Sequence, residues 1–294
     1  MMLSSVIFAL AQVTADAPHA CDSCVEWNQP LPAFHVYGNT WFVGTAGLGS
    51  VLITSDQGHV LIDGGLPQSA PLIAENIVRL GFRLEDVKLI LNSHTHYDHA
   101  GGIAALQRAS GARVAASPAS RRALERGGPT PDDPQFAFGK EHNDYAPVAK
   151  VQVVKDAEEL RVGALRIAAH FTPGHTPGGT SWTWQSCEGT RCLNLVYADS
   201  LNSVSAPGFR FGEHGRAQVF EHSMAVVAAL PCDLLLAPHP VLIDMDAKLA
   251  ALKAHPETNP FISTDACRRY ADAAKQRLQA RLAEEKAGLP AAMH

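Results

Sequence analysis

The sequence predicts an α/β fold, a four-layer αββα sandwich, and three observations point to it. Residues 34–63 form short apolar runs separated by turn formers (FHVYG, TWFVG, SVLITS, HVLIDGG), the pattern of an antiparallel meander. From Pro67 to Leu124, helical periodicity alternates with strand-like runs. A second group of strand-like runs, residues 151–199, is followed by three helical stretches. Strands on each side with helices outside bury their apolar faces as two sheets packed together. The chain of 294 residues, 46% hydrophobic, is long enough for one domain of this kind.

Taken in order, Pro67–Leu80 is an amphipathic helix that opens with a proline near its first turn. Val87–Asn92 is a buried strand, and a helix starts at Gly102. Arg113–Ala116 is a short strand, followed by a helix through Leu124 and a Pro-, Gly- and Asp-rich loop reaching Val148. A loop of that length in a compact domain is usually functional. In the second half, VQVV, ELRVGALRIAAHF, TSWTWQS and LNLVYAD are strands. Helices follow near Ala217–Ala229, Asp246–Lys253 and Asp265–Glu285, the last with a modest apolar stripe suited to packing. There is no internal sequence repeat.

The net charge of −5 gives no reason to expect nucleic acid or an anionic membrane as partner. No apolar run reaches the ~20 residues that span a bilayer. Residues 1–20 have a short apolar core followed by small residues and resemble a secretory leader, although the usual positive start is missing. Residues 21–294 are then the single domain. The six cysteines fit export. Cys187 and Cys192 flank a turn between two strands, a natural hairpin-closing disulfide; Cys232 and Cys267 could pin the last helix to a strand. Cys21 and Cys24 form a CxxC whose redox or zinc reading lacks its context, and a local disulfide is expected. The even count points to an oxidising compartment, the periplasm. A monomer is expected.

The chemistry centres on HTHYDHAGG, residues His94 to Gly102. It sits between an apolar strand and a helix, at the carboxyl end of a strand, where α/β sheets place their sites. His94 and His96 are two apart in an extended chain, so both rings face one way and can grip one ion. Asp98 and His99, adjacent at the turn, can aim at a second. Imidazoles with one carboxylate suit zinc above manganese or iron. Two more histidines follow apolar strands: His175 in the Pro-Gly turn FTPGHTPGG and His239 in LLLAPHP. Three loops after three strands are expected to meet at one edge of the same sheet. Asp63, in an Asp-Gly-Gly loop, is either a carboxylate behind a ligand or a turn residue.

The order HxHxDH, then a Gly-His turn, then a strand ending in His resembles the metallo-β-lactamase superfamily. Within it, the chain resembles subclass B3: the first motif begins with His, TPGHTPG runs on into GTSWTW, and Tyr197-Ala-Asp-Ser-Leu201 carries a serine where another subclass has a cysteine ligand. The resemblance covers roughly Pro32 to Leu282. It implies two zinc ions, one held by His94, His96 and His175 and the other by Asp98, His99 and His239. It further implies hydrolysis of a small-molecule β-lactam by a hydroxide shared between the ions, with Asp98 also orienting that nucleophile. No serine nucleophile is needed.

By the same resemblance, Ser200 and the residue two positions on, here Asn202, bind the substrate carboxylate, and Gln135 of the DDPQF run lies near the substrate. Asn stands at 202 where Ser or Thr is commoner. Asp199 is expected to be structural; an Asp bridging both metals at a comparable strand end would point instead to a lactone or thioester hydrolase, such as an acyl-homoserine lactonase or a glyoxalase II-like enzyme. A metal-binding protein without activity is the third reading, disfavoured by the complete ligand set.

Overall fold

A computed structural model describes residues 13–289. The secretory-leader expectation therefore falls largely outside the described residues; of its remainder, Val13 is buried and the His19 ring stacks on Tyr97 at 3.8 Å. A single-turn helix α1 (Cys24–Trp27) leads into β1 (Phe34–Tyr37), β2 (Thr40–Phe42), β3 (Val51–Ile53) and β4 (His59–Ile62). Helix α2 (Ala70–Arg79), strand β5 (Val87–Leu91), the one-turn helix α3 (Tyr97–Ala100), α4 (Ile103–Ser110), β6 (Arg113–Ala116) and α5 (Pro118–Arg126) follow. After α6 (Lys140–Asn143) come β7 (Val151–Val153), β8 (Glu159–Val162), β9 (Leu165–Phe171), β10 (Thr180–Glu188) and β11 (Arg191–Tyr197). The described residues end with α7 (Arg216–Ala229), β12 (Leu234–Leu236), α8 (Met245–Ala254) and α9 (Ala266–Lys286).

Two sheets form, in the orders β1-β2-β3-β4-β5-β6-β7 and β12-β11-β10-β9-β8. The first is antiparallel through β4 and parallel from β4 to β7; the second is antiparallel except for the β11–β12 pair. VQVV, read with the second half, thus completes the first sheet by pairing with β6.

The period-2 pattern shows why the sheets pack. Val51 and Ile53 join the core between the sheets, while Leu52 between them joins the cluster with Ile73 and Ile77 of α2 and Ile103 and Leu106 of α4. Trp182, Trp184 and Tyr197 fill the space from the second sheet, and each sends its polar tip across. Trp182 Nε1 donates to Asn92 O, Trp184 Nε1 to Thr40 Oγ1, and the Tyr197 hydroxyl to Asp63 Oδ2 at 2.9 Å. A large apolar ring whose one polar atom is satisfied fixes the register of the two sheets. Phe220 of α7 and Ala274 and Leu278 of α9 pack on the outside of the second sheet. The layers are αββα, as the pattern predicted.

The structure joins Cys21 to Cys24, Cys187 to Cys192 and Cys232 to Cys267. Among the described residues, no helix is long and apolar enough to cross a membrane.

Candidate metal centre

The loop after β5 carries four of the proposed ligands, and its shape follows from its neighbours. His96 is extended (φ −75°, ψ 154°) and caps the single turn α3, which carries Asp98 and His99. The two glycines that end the motif allow a close approach: a Cβ on Gly102 would lie 2.2 Å from Gly64 O, and one on Gly101 2.8 Å from Pro67 N. Through that contact Gly64 N donates to His99 O and Gly102 N to Gly65 O.

Asp63 holds the loop from behind. Fully buried at φ +60°, it accepts from Asn92 Nδ2, from Ser93 N at 2.7 Å, from Ser93 Oγ at 2.6 Å and from Tyr197. Burial pushes its carboxyl upward, partly opposed by His99 and by the Ser93 bonds. It buttresses the segment before His94 and bonds to no ligand imidazole.

The three loops come from both sheets, which corrects the expectation of one sheet edge. The His94–His99 loop leaves β5 of the seven-stranded sheet, whereas His175 and His239 follow β9 and β12 of the five-stranded sheet. The site therefore lies where the sheets face each other, and the ligands approach from two sides.

The protonation pattern can be read from the partners. His94 Nδ1 is 2.8 Å from Asp199 Oδ1, so its N–H points there and Nε2 is left with a lone pair; Nε2 is buried without any partner. His175 Nδ1 donates to Asn202 O at 2.8 Å, again leaving Nε2 as a lone pair. His96 Nε2 lies 3.1 Å from Asp133 Oδ1, which leaves Nδ1 bare. Yet His96 Nδ1 and His175 Nε2 stand 3.2 Å apart. Two lone pairs at that distance repel unless a metal ion, or a proton on His96, sits between them. Zinc–nitrogen bonds in a tetrahedral site put neighbouring nitrogens about 3.3 Å apart.

A second group shares this arrangement. His99 Nε2 lies 3.2 Å from His239 Nε2 and 3.1 Å from Asp98 Oδ2, and His239 Nε2 is 3.3 Å from Asp98 Oδ2. The ligand atoms of His94, His96 and His175 all lie within 4.8 Å of one another, as do those of His94, Asp98 and His99. The six residues thus fit one or more divalent cations on donor chemistry and spacing.

Electrostatics agree for His94, His175 and Asp98, while His96 is drawn toward its charged form by Asp133. Burial, and then the neighbouring imidazoles, push His94 and His175 well below the ordinary histidine value, which keeps them neutral and able to ligate. Burial also works to lower His96, but the charge and hydrogen bond of Asp133 carry it above that value. Asp98 resists its own burial: His99 and His239 hold its carboxyl well below the usual range. It stays a carboxylate.

Asp199 lies outside the ring of ligands. Its Oδ1 faces His94, and its Oδ2 stands against Gly179, where a Cβ would come within 2.3 Å of it. It orients an imidazole, a task a buried carboxylate performs behind many metal ligands. Asp133 does the same for His96 and was missed in the sequence; the signal available was only an acidic pair in the long loop after α5. Gln135 is next to it, with its backbone N–H on Asp133 Oδ1 and its carbonyl accepting from Asn143.

Asn202 lines a cavity of about 500 Å³ together with His239 and the Trp27 side chain, whose ring is 5.2 Å from that of His239. Ser200 is fully buried with its hydroxyl unpartnered and does not line that cavity. Ser200 thus stands apart from that cavity.

Comparison with known proteins agrees with this geometry. Residues 50–187 match the metallo-beta-lactamase superfamily. The solved structure of the Rm3 metallo-beta-lactamase is 50% identical, with TM-score 0.88, over 91% of this chain and 99% of its own. MEM-A1, a subclass B3 metallo-beta-lactamase from a soil metagenome library, is 48% identical, with TM-score 0.85, over 89% and 99%. Among curated proteins, a hydroxyacylglutathione hydrolase of Anaeromyxobacter dehalogenans is 31% identical over 135 residues, 46% of this chain and 41% of its own length. The chain spans about half the length of the curated relatives it matches. With half its residues shared across nearly the whole of a solved enzyme, and the ligand constellation in place, the chain belongs to subclass B3 of the metallo-β-lactamases and is a hydrolase.

Proposed function

We propose that the chain hydrolyses the amide bond of β-lactams, with two zinc ions as cofactors. The observation that carries this reading is the set of facing imidazole lone pairs, backed by Asp133 and Asp199, beside a carboxylate kept ionised. His94, His96 and His175 hold one ion; Asp98, His99 and His239 hold the other. Bound zinc supplies a Lewis acid for the carbonyl oxygen and brings water activation near neutral pH.

The residues of the chain do the rest. Asp98, ionised at the junction of the two groups, accepts a hydrogen bond from the attacking water and orients it toward the strained carbonyl. The water's proton leaves with the amide nitrogen as the ring opens. Trp27, His239 and Asn202 wall the cavity in which the substrate lies against the site. The Ser200 hydroxyl has no hydrogen-bonding base among the described residues, in keeping with direct attack by water and no acyl-enzyme. Among the substrate-contact assignments, Asn202 is supported by its place in the cavity wall.

Lactone or thioester hydrolysis is the second reading, favoured by the names of the curated relatives. The orientation of Asp199, behind His94 and away from the junction, argues for the first. Three disulfides support action in the periplasm after export; the protein acts there as a monomer. The deciding assay is hydrolysis of a chromogenic cephalosporin, with and without a chelator, beside a lactone and a thioester. Chelator-sensitive cephalosporin turnover is expected. Fast lactone or thioester cleavage without β-lactam turnover would select the second reading.

A further inference from the structure

One wall of the cavity beside His239 has no task in the mechanism above. It is formed by α9, where Arg277, Arg281 and Glu284 follow one another at spacings of four and three, on one helix face. The two arginines are held very differently. Arg281 gives Nε to Glu285 at 2.9 Å and Nη2 to Ser205 at 2.9 Å, so its guanidinium is used up in anchoring the segment after Asn202 to the helix. Arg277 keeps both Nε and Nη2 buried with no acceptor among the described residues. Glu284 lies two turns further along and does not supply one.

Nε and Nη2 lie along one edge of the guanidinium, the edge that grips both oxygens of a carboxylate. Buried donors are rarely left empty in folded proteins, and a charged pair of them is an unfilled half of a recognition pair. Asn202 faces the same cavity with its own Oδ1 unpartnered, so its amide is free to turn toward a ligand. Ser200, implied by resemblance to contact the substrate carboxylate, is not part of this wall.

We propose that Arg277 is a specificity-determining residue that takes the carboxylate of the substrate side-on through Nε and Nη2, an inference that rests on the β-lactam reading above. The scissile amide then lies toward Asp98 and His239. The carboxylate on the ring fused to it points toward α9.

The test compares a cephalosporin with its carboxylate methyl ester in the wild-type chain, Arg277→Met and Arg277→Lys. For the free acid, Arg277→Met is expected to raise KM by about 10- to 100-fold while kcat changes by less than about threefold. The ester should have nearly the same KM in all three proteins, and Arg277→Lys should fall between the others with the acid. Because Arg277 Nε and Nη2 have no partner among the described residues, the methionine variant should melt no lower than the wild type. KM shifts equal for acid and ester, or no shift with either, would overturn the assignment; if the methionine variant fails to fold, the acid-to-ester ratio in Arg277→Lys decides. Absence of any β-lactam turnover by the wild-type chain would instead overturn the β-lactam reading, and this inference with it.

Discussion

Replacing Asp199 with asparagine separates the two things a carboxylate can do beside His94. Asp199 Oδ1 and His94 Nδ1 are 2.8 Å apart, with both side chains out of contact with solvent. Asparagine keeps the shape and an acceptor oxygen but removes the charge. A hydrogen bond to a charged partner contributes ~1.5–3 kcal/mol and a neutral one ~0.5–1.5 kcal/mol. The difference of about 1–1.5 kcal/mol makes zinc affinity about five- to tenfold weaker. Stability should move the other way. Burial pushes the Asp199 carboxyl well above its ordinary range. A carboxyl raised in the folded state contributes stability below its unfolded pKa and loses it as pH rises, so at pH 7 an ionised Asp199 works against the metal-free fold. Metal-free Asp199→Asn should therefore melt at the same temperature as the wild type or higher. Chelator-competition titration reads the first effect and thermal melts after chelation read the second. Unchanged zinc affinity would remove Asp199 as the group that orients His94. A loss of several orders of magnitude would make it a direct ligand, as in the second reading.

Asp133→Ala strands the His96 Nε2 and Gln135 backbone donors and should lower zinc affinity about 10- to 100-fold in the same titration; unaltered affinity would contradict its place behind His96. Converting both Cys232 and Cys267 to serine opens a link between residues 35 apart in sequence and should cost about 4 kcal/mol in denaturant unfolding; a cost below about 1 kcal/mol would show that this link adds little. The metal-free domain should lose stability as pH falls from 7 toward 5. His19, His59, His94, His142, His170 and His175 are held below 6.5, so they contribute stability above the unfolded value that disappears as the unfolded chain takes up protons; His96, Asp63 and Asp199, all raised, work in the opposite sense but are three against six. A melting temperature of the chelated protein that rises over that interval would refute the protonation pattern read from the hydrogen bonds.

The ligands were legible because they are local. Four potential donors in six residues, ending in Gly-Gly, leave few other uses, and His175 and His239 each stand at the end of an apolar run. Strand alternation likewise carried the meander and the αββα layering, since Val51, Leu52 and Ile53 must face opposite sides of a sheet. What stayed hidden depends on long-range pairing. Nothing near Asp133 says that His96 will stand beside it, and Asp199 reads the same whether it lies behind a ligand or between two metals. That β7 joins the first sheet while His175 and His239 arrive from the second is a property of register and chain crossing, which periodicity does not encode. Arg277 is hidden for a related reason. On a helix with five other basic residues, its lack of an acceptor emerges only once the neighbours are packed.

The decisive measurement is the transition-metal content of the folded, zinc-dialysed chain, taken together with cephalosporin turnover on the same sample. Two zinc ions per chain, with turnover that vanishes on chelation and returns on zinc addition, is the predicted result. A fully folded chain that takes up no transition metal, or that hydrolyses the cephalosporin equally well without it, would contradict the account.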